Sequence, residues 1–370
     1  MINFGIVELY CGASGKKGFY NNQEIGLAKA MKKIGYSCFI FYPDKEIKDI
    51  TEEVIEDGIK IIRCPAKVIG VHSKYDLRIL DKYKIQVVQL GADNQLFSPS
   101  VLKYCDRHKI AIYNYIGTVG TDSDNVVKKI LMNILYKRNI TAYKVHKNFV
   151  KTVCVKKLFE KHGLNECEIA PVGLDMTIIP QKLGEKEQIK KACGIPIDKK
   201  ILLYVGRIDS YKQPDKMLIL LKNLSEQYYG VIIGDGLLSP QIKKMIYELN
   251  LESRLKWIKK IENNEIHKYY FMADYFLNFN KKEIFGMSIL EAMYQGCIVI
   301  AHHAPGPDMI IENGISGYLV DDMKTMRQII INNESESIDT NLIKQRIVNY
   351  FTWEKTAKIF DNWIRSVINE

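Results

Sequence analysis

The chain has no cysteine framework. Its eight cysteines stand at 11, 38, 64, 105, 154, 167, 193 and 297; no two form C-x-x-C, and no histidine sits at a zinc-binding distance from them. Scattered thiols of this kind fit a reducing compartment, and neither a disulfide scaffold nor a structural zinc site is expected. Long apolar runs are missing too: uncharged stretches such as Ile201–Val205 fall far short of the ~20 residues a membrane span needs. The opening Met1–Tyr10 carries no basic stretch and places Glu8 inside its apolar run, so it reads as a strand rather than a secretory leader. Several catalytic signatures are also absent. No G-x-S-x-G, H-E-x-x-H or EF-hand loop occurs, so hydrolase triads and metal hydrolysis have no support. Gly15-Lys16-Lys17 resembles the end of a phosphate-binding P-loop, but Tyr10 stands where the first glycine belongs and Lys17 where Ser or Thr belongs. Asp122-Ser123-Asp124 precedes a helical pattern, where such residues cap free amides, and it is read as a cap rather than a metal pair.

What is present is ordinary globular composition over a length that implies two to three domains. Of 370 residues, 47% are apolar and 26% charged. The net charge of +10 is unevenly spread. Residues 1–190 carry 30 Lys/Arg against 21 Asp/Glu, whereas residues 191–370 carry 23 against 22. Within 125–161 ten basic residues face Glu160 alone. A one-sided basic half fits either a solvated basic face or an anionic partner such as lipid headgroups, a phosphorylated substrate or nucleic acid.

Strand and helix periods alternate along the whole chain. In the first half, strands are expected near 6–9, 36–42, 60–63, 86–90, 110–115 and 168–172, with helices near 22–33, 98–107, 124–138 and 150–162. The scheme restarts with Ile201–Val205 and continues through Gly230–Ile233, Tyr275–Phe279, Ile298–Ala301 and Tyr318–Val320. Such alternation predicts an α/β chain of two doubly wound, Rossmann-like domains. Their expected bounds are 1–175 and 176–350, with the boundary in the proline- and glycine-bearing stretch 171–180 and a final amphipathic helix in 351–370.

Two loops of the second half carry the chemistry. Glu283-Ile-Phe-Gly286-Met287-Ser288-Ile-Leu-Glu291 lies between two expected strands. Gly286 permits close backbone approach, and a helix starting near Ser288 would leave the amides of 286–288 free to hold a phosphate. Glu291 would accept both hydroxyls of a ribose-like diol, and Glu283 would point beyond the phosphates. Gly206-Arg207-Ile-Asp-Ser-Tyr-Lys212 follows an earlier strand; its Arg and Lys supply the cations that a diphosphate leaving group requires.

In combination these strings resemble retaining family 4 glycosyltransferases of the GT-B fold, the glycosyl transferases group 1. The family pattern E-x-F-G-x-x-x-x-E-A-M stands as Glu283 to Met293, and G-R-x-x-x-x-K as Gly206 to Lys212. Its G-x-G stands as Gly234-Asp235-Gly236, its D-G-x-N-G-x-L-V turn is approached by Ile311 to Val320, and Phe351-Thr352-Trp353 resembles its F-S-W. The resemblance implies two Rossmann-like domains facing a central cleft, with the last helix returning to the first domain. It implies hexose transfer with retention from a nucleotide diphosphate sugar, a UDP-sugar being favoured, with no metal and no other cofactor. Glu283, Arg207 and Lys212 would be catalytic; Glu291, Gly286, Met287, Ser288, Gly206, Gly234 and, in the first half, Gly18 would bind the donor.

The first half matches the family less closely. Where many relatives place a histidine near the transferred sugar, this chain has Ile116, with Asn114 or Tyr115 as substitute polar contacts. The apolar residues of 125–138 are read as mostly core-facing, with a basic amphipathic face on an anionic membrane as the alternative. The leading expectation is a cytoplasmic enzyme, peripheral at the inner membrane face, acting on a glycan or lipid-linked acceptor in cell-surface polysaccharide or glycolipid synthesis. A protein, small-molecule or DNA acceptor, a non-catalytic binding subunit and a nucleotide-sugar epimerase stand as alternatives, and a nucleic-acid partner is not expected.

Overall fold

A computed structural model of the chain describes residues 1–11, 23–118, 126–164, 166–180, 183–332 and 338–368. Gly18 and the Asp122–Asp124 pair lie outside the described residues. The chain divides into two compact units, Met1–Asp175 with Thr352–Glu370, and Met176–Phe351.

The first unit holds β1 (Ile2–Val7), β2 (Tyr36–Asp44), β3 (Thr51–Glu56), β4 (Ile59–Pro65), β5 (Lys67–Ile69), β6 (His72–Lys74), β7 (Val87–Gly91), β8 (Ala111–Ile116), β9 (Lys147–Val150) and β10 (Cys167–Ile169). Eight of these form one sheet in the order β10-β9-β8-β7-β1-β2-β4-β3. All neighbours run parallel except β3, which pairs antiparallel with β4 at the edge. Its central strands are apolar on both faces because helices cover both sides; Phe4, Ile6, Val88, Leu90 and Tyr113 are fully buried. The strand order turns at β1, which pairs with β2 on one side and β7 on the other. At such a switch point the outgoing loops diverge and leave a crevice.

The first strand ends two residues earlier than the apolar run suggested. Val7 is the last ladder residue, and Glu8 and Leu9 follow it. The helix Trp353–Ile368 completes this unit. Phe360 packs against Tyr113 and Phe149 with centroids 4.9 Å apart in each case. The entry to this helix is equally tight: the Trp353 amide donates to the Leu174 carbonyl, and the Thr356 hydroxyl donates to the Pro171 carbonyl at 2.6 Å.

The second unit holds β11 (Lys200–Val205), β12 (Tyr228–Ile233), β13 (Leu255–Ile258), β14 (Tyr275–Asn278), β15 (Ile298–His302) and β16 (Tyr318–Val320). They form a parallel sheet in the order β13-β12-β11-β14-β15-β16. Here the order turns between β11 and β14, so the loops leaving those two strands flank the crevice. Among the described residues no helix is long and apolar enough to cross a membrane.

One expectation about the first unit is overturned. The helix Val126–Tyr143 does not bury its aliphatic stripe. Val126, Val127, Ile130, Leu131 and Ile134 are all exposed, at 55–68%. The helix is instead held by the opposite side and its C-terminal end, where Asn139, Ile140 and Tyr143 are buried. A helical period reveals a stripe but not which way it faces.

Candidate active site

The loops that leave β11 and β14 bring the charged residues of the second unit together. Glu283 is buried, and its Oε2 accepts three bonds: from Lys212 Nζ at 2.5 Å, Asn280 Nδ2 at 3.2 Å and Asn278 Nδ2 at 3.3 Å. Charge neutralisation and amide donors make the buried carboxylate tolerable. The two asparagines come from the end of β14, and Asn280 is itself tied by its amide to Asn278 Oδ1. Both were missed from sequence, since a polar residue ending a strand carries no signature until its neighbour is known.

Lys212 ends a short 3₁₀ turn, Ser210–Lys212, that follows β11. Its ammonium also lies 5.5 Å from the Tyr211 ring centroid. Arg207, on the same loop, is drawn to the same tyrosine. Its Nη2 and Nε donate to the Tyr211 hydroxyl at 2.6 and 3.0 Å, and its Nη1 lies 3.6 Å from Asp209 Oδ2. Tyr211 thus links the two cations, a role the sequence did not disclose. The Arg207 side chain is 66% exposed, so the guanidinium lies on the open side of the loop. Gly206 and Gly234 meet behind it: a Cβ on Gly234 would lie 1.9 Å from the Gly206 carbonyl oxygen, and Gly234 has φ +145°. Gly234 therefore serves the close backbone approach between the β11 and β12 exits.

Gly286 stands at φ +101° immediately before the helix Met287–Tyr294. That backbone turn aims the first amides of the helix outward. The amides of Gly286, Met287 and Ser288 donate to no described group, which leaves three free donors at a positive helix end. Glu291 lies one turn further on and is half-buried. It accepts a 2.8 Å bond from the Tyr270 hydroxyl. Burial pushes its carboxyl up to about 7, against the opposing effect of that bond. Tyr270 was not recognised from sequence either.

The second unit therefore gathers an ion-paired carboxylate, two cations, free helix-end amides and a titratable acceptor on one sheet edge. Residues 185–336 match the family model described as glycosyl transferases group 1. The chain carries a group 1 glycosyltransferase domain. Among curated proteins, the glycosyltransferase is 25% identical to the D-inositol 3-phosphate glycosyltransferase of Corynebacterium urealyticum, over 99% of this chain and 95% of that one. It is 22% identical to the alpha-monoglucosyldiacylglycerol synthase of Acholeplasma laidlawii, over 79% of each. Among solved structures it superposes on sucrose-phosphate synthase from Thermosynechococcus elongatus with a TM-score of 0.80 at 16% identity, covering 100% of both chains. Anabaena Alr3699/HepE in complex with UDP gives 0.75 at 14%, covering 99% of this chain and 100% of that one. The fold of this glycosyltransferase is GT-B.

In the first unit, Ile116 is fully buried in the core. Asn114 turns into the sheet, where it donates to Asn148 Oδ1 at 3.0 Å. Tyr115 instead lines an open cavity. Of the two polar residues considered as substitutes for a histidine, only Tyr115 borders accessible space.

Proposed function

We propose that this glycosyltransferase moves a hexose from a nucleoside diphosphate sugar, a UDP-sugar being favoured, to a glycan or lipid-linked acceptor, with retention at the anomeric carbon and without a metal. The observation that carries this reading is the Lys212–Glu283 pair beside three free amides at the β11/β14 switch point. The diphosphate would take the amides of 286–288 and draw Arg207 from Tyr211. Lys212 would share its charge between Glu283 and the departing phosphate. As the bond from the anomeric carbon to the phosphate oxygen breaks, the electron pair leaves with the diphosphate, where Arg207 and Lys212 stabilise it. The acceptor hydroxyl forms the new bond, and its proton passes to a phosphate oxygen. Glu283 would hold hydroxyls of the transferred sugar, and Glu291 those of the ribose. The solved UDP complex of similar fold supports the choice of base. The named lipid product of the Acholeplasma relative supports a lipid-linked acceptor. The exposed stripe of Val126–Tyr143 supports contact with an anionic membrane surface.

The test is release of nucleotide from UDP-, GDP-, ADP- and dTDP-sugars in the presence of EDTA. Release from a UDP-sugar that falls by about 10²–10³-fold in both Glu283→Gln and Arg207→Ala is expected. Release that requires an added divalent ion would overturn metal independence. Binding of UDP-sugar without turnover, with any acceptor offered, would overturn the transferase reading in favour of a binding subunit.

A further inference from the structure

The first unit holds a cavity of about 300 Å³ at its own strand-order reversal, lined wholly by residues of that unit. That volume sits at the small end for ligand cavities and suits a single ring rather than a chain. Its polar floor comes from separate segments. Glu8 follows β1, Asp93 follows β7, Tyr115 comes from β8, and Glu24 comes from the helix Gln23–Lys33.

The floor is built for a ligand. Glu8 and Glu24 are each only 7% exposed. A Cβ on Gly91 would lie 2.5 Å from Glu8 Oε2, so the glycine is what makes room for that carboxylate. Glu24 accepts from the Tyr42 hydroxyl at 3.0 Å. Asp93 is fixed by the amides of Gly117 and Thr118 at 2.6 and 3.0 Å. Against these three carboxylates the described lining residues supply one ammonium, Lys151, 4.0 Å from Asp93 Oδ2 and 4.8 Å from the Tyr115 ring centroid. Tyr115 is 5% exposed, and its hydroxyl has no partner among the described residues. An orphaned hydroxyl at a cavity wall is a cost that a bound partner relieves. Burial, and next the Glu24 charge, push the Glu8 carboxyl well above its ordinary range despite Lys151. The floor of the pocket is therefore short of positive charge. Leu27, Val71 and Trp353 supply apolar wall for the carbon faces of a ring.

We propose that this cavity binds an amino sugar, a single ring whose ammonium is placed among Glu8, Glu24 and Asp93, and that it rejects sugar phosphates. Hydroxyl groups donate to the carboxylates and the ammonium offsets part of the excess negative charge, with Tyr115 available to a ring oxygen. A phosphate brings negative charge to a floor that holds three carboxyl groups against one ammonium, and like charges at this depth are weakly screened. Among the described residues, Lys151 is the one Lys or Arg of this half that lines the cavity. The proposal rests on the transfer reading only in making this ring the acceptor; binding itself needs no donor.

Isothermal titration of the full chain with glucosamine, glucose and glucose 6-phosphate, without nucleotide, tests it. Glucosamine is expected to bind at least tenfold more tightly than glucose, and glucose 6-phosphate not at all. Glu8→Gln and Glu24→Gln, each checked for native circular dichroism, are expected to erase the preference for the amine while retaining glucose. Glucose 6-phosphate binding as tightly as glucosamine, an unchanged preference in both variants, or no binding of any of the three overturns the proposal. UDP is titrated into the same samples: loss of the cavity ligand with UDP retained counts against this proposal alone, and the reverse counts against the donor reading alone.

Discussion

At the scale of single residues, Glu291 makes the reading of the second unit testable by pH. A ribose diol donates two hydrogen bonds, which an ionised carboxylate accepts and a protonated one meets only in part. With its carboxyl at about 7, Glu291 is half-charged near neutrality, so UDP affinity is expected to rise as pH passes upward through 7. Stability moves the other way. A carboxyl raised on folding adds stability below its unfolded value of about 4.5, and this is lost as pH rises through about 7. Titrations of UDP between pH 5.5 and 8.5 check the first sign. Tyr270→Phe removes the donor that favours the charged form, so its midpoint is expected to move to higher pH. A flat profile in the native chain, or a downward shift in the variant, would remove Glu291 from the ribose role.

At the scale of elements, what was legible in the sequence was whatever is contiguous in it. Glu283 to Glu291 and Gly206 to Lys212 are short strings, each on one crossover, and their local pattern shows a loop leaving a strand. The partners that complete them were not legible. Asn278 and Asn280 reach Glu283 only because a strand ends beside its own outgoing loop, and Tyr270 reaches Glu291 from another helix. The antiparallel edge strand β3 was also missed, since it carries four charged or polar residues in six, TEEVIE. The helix Val126–Tyr143 shows the deeper limit. Its aliphatic stripe was visible, yet its outward direction depends on which face the rest of the unit leaves room to bury. Five exposed aliphatics beside Lys129 and Lys137 form an apolar strip with basic flanks, the pattern of a helix lying in a lipid interface. Sedimentation with vesicles of phosphatidylcholine, with and without phosphatidylglycerol, is expected to show binding to the anionic vesicles. Ile130→Ser with Ile134→Ser is expected to lower it tenfold or more, since each buried aliphatic side chain contributes ~1.5–3 kcal/mol. Equal recovery of native and variant chains with the vesicles would assign the strip to another covering.

At the scale of the whole molecule, the two units differ in how the chain builds them, and this difference has a measurable consequence. The second unit is one continuous stretch, Met176–Phe351, with its own parallel sheet. The first is discontinuous and depends on the last helix, which fills its core with Trp353, Phe360 and Ile364, each 3% exposed or less. The fit is close enough to have demanded glycine at two distant positions. A Cβ on Gly26 would lie 2.5 Å from the Trp353 ring, and one on Gly173 would lie 2.1 Å from the Trp353 backbone nitrogen. Removing residues 352–370 would strip the first unit of these contacts and expose Tyr113 and Phe149, which pack on Phe360. Losing three large core side chains at ~3–5 kcal/mol each costs about as much as the ~5–15 kcal/mol that holds an ordinary domain together. The fragment 176–351 loses none of its own core by the same cut, and it retains Arg207, Lys212, Glu283, Glu291 and the free amides of 286–288. It is therefore expected to fold alone, with a cooperative thermal transition, and to bind UDP within tenfold of the full chain. The fragment 1–351 is expected to keep that UDP binding while losing the glucosamine site of the first unit, whose wall includes Trp353. Calorimetry and titration on the two fragments read both outcomes. A fragment 176–351 that is folded but does not bind UDP would mean that the donor site draws on the first unit. Retention of glucosamine binding by 1–351 would mean that the last helix is dispensable to the cavity it borders.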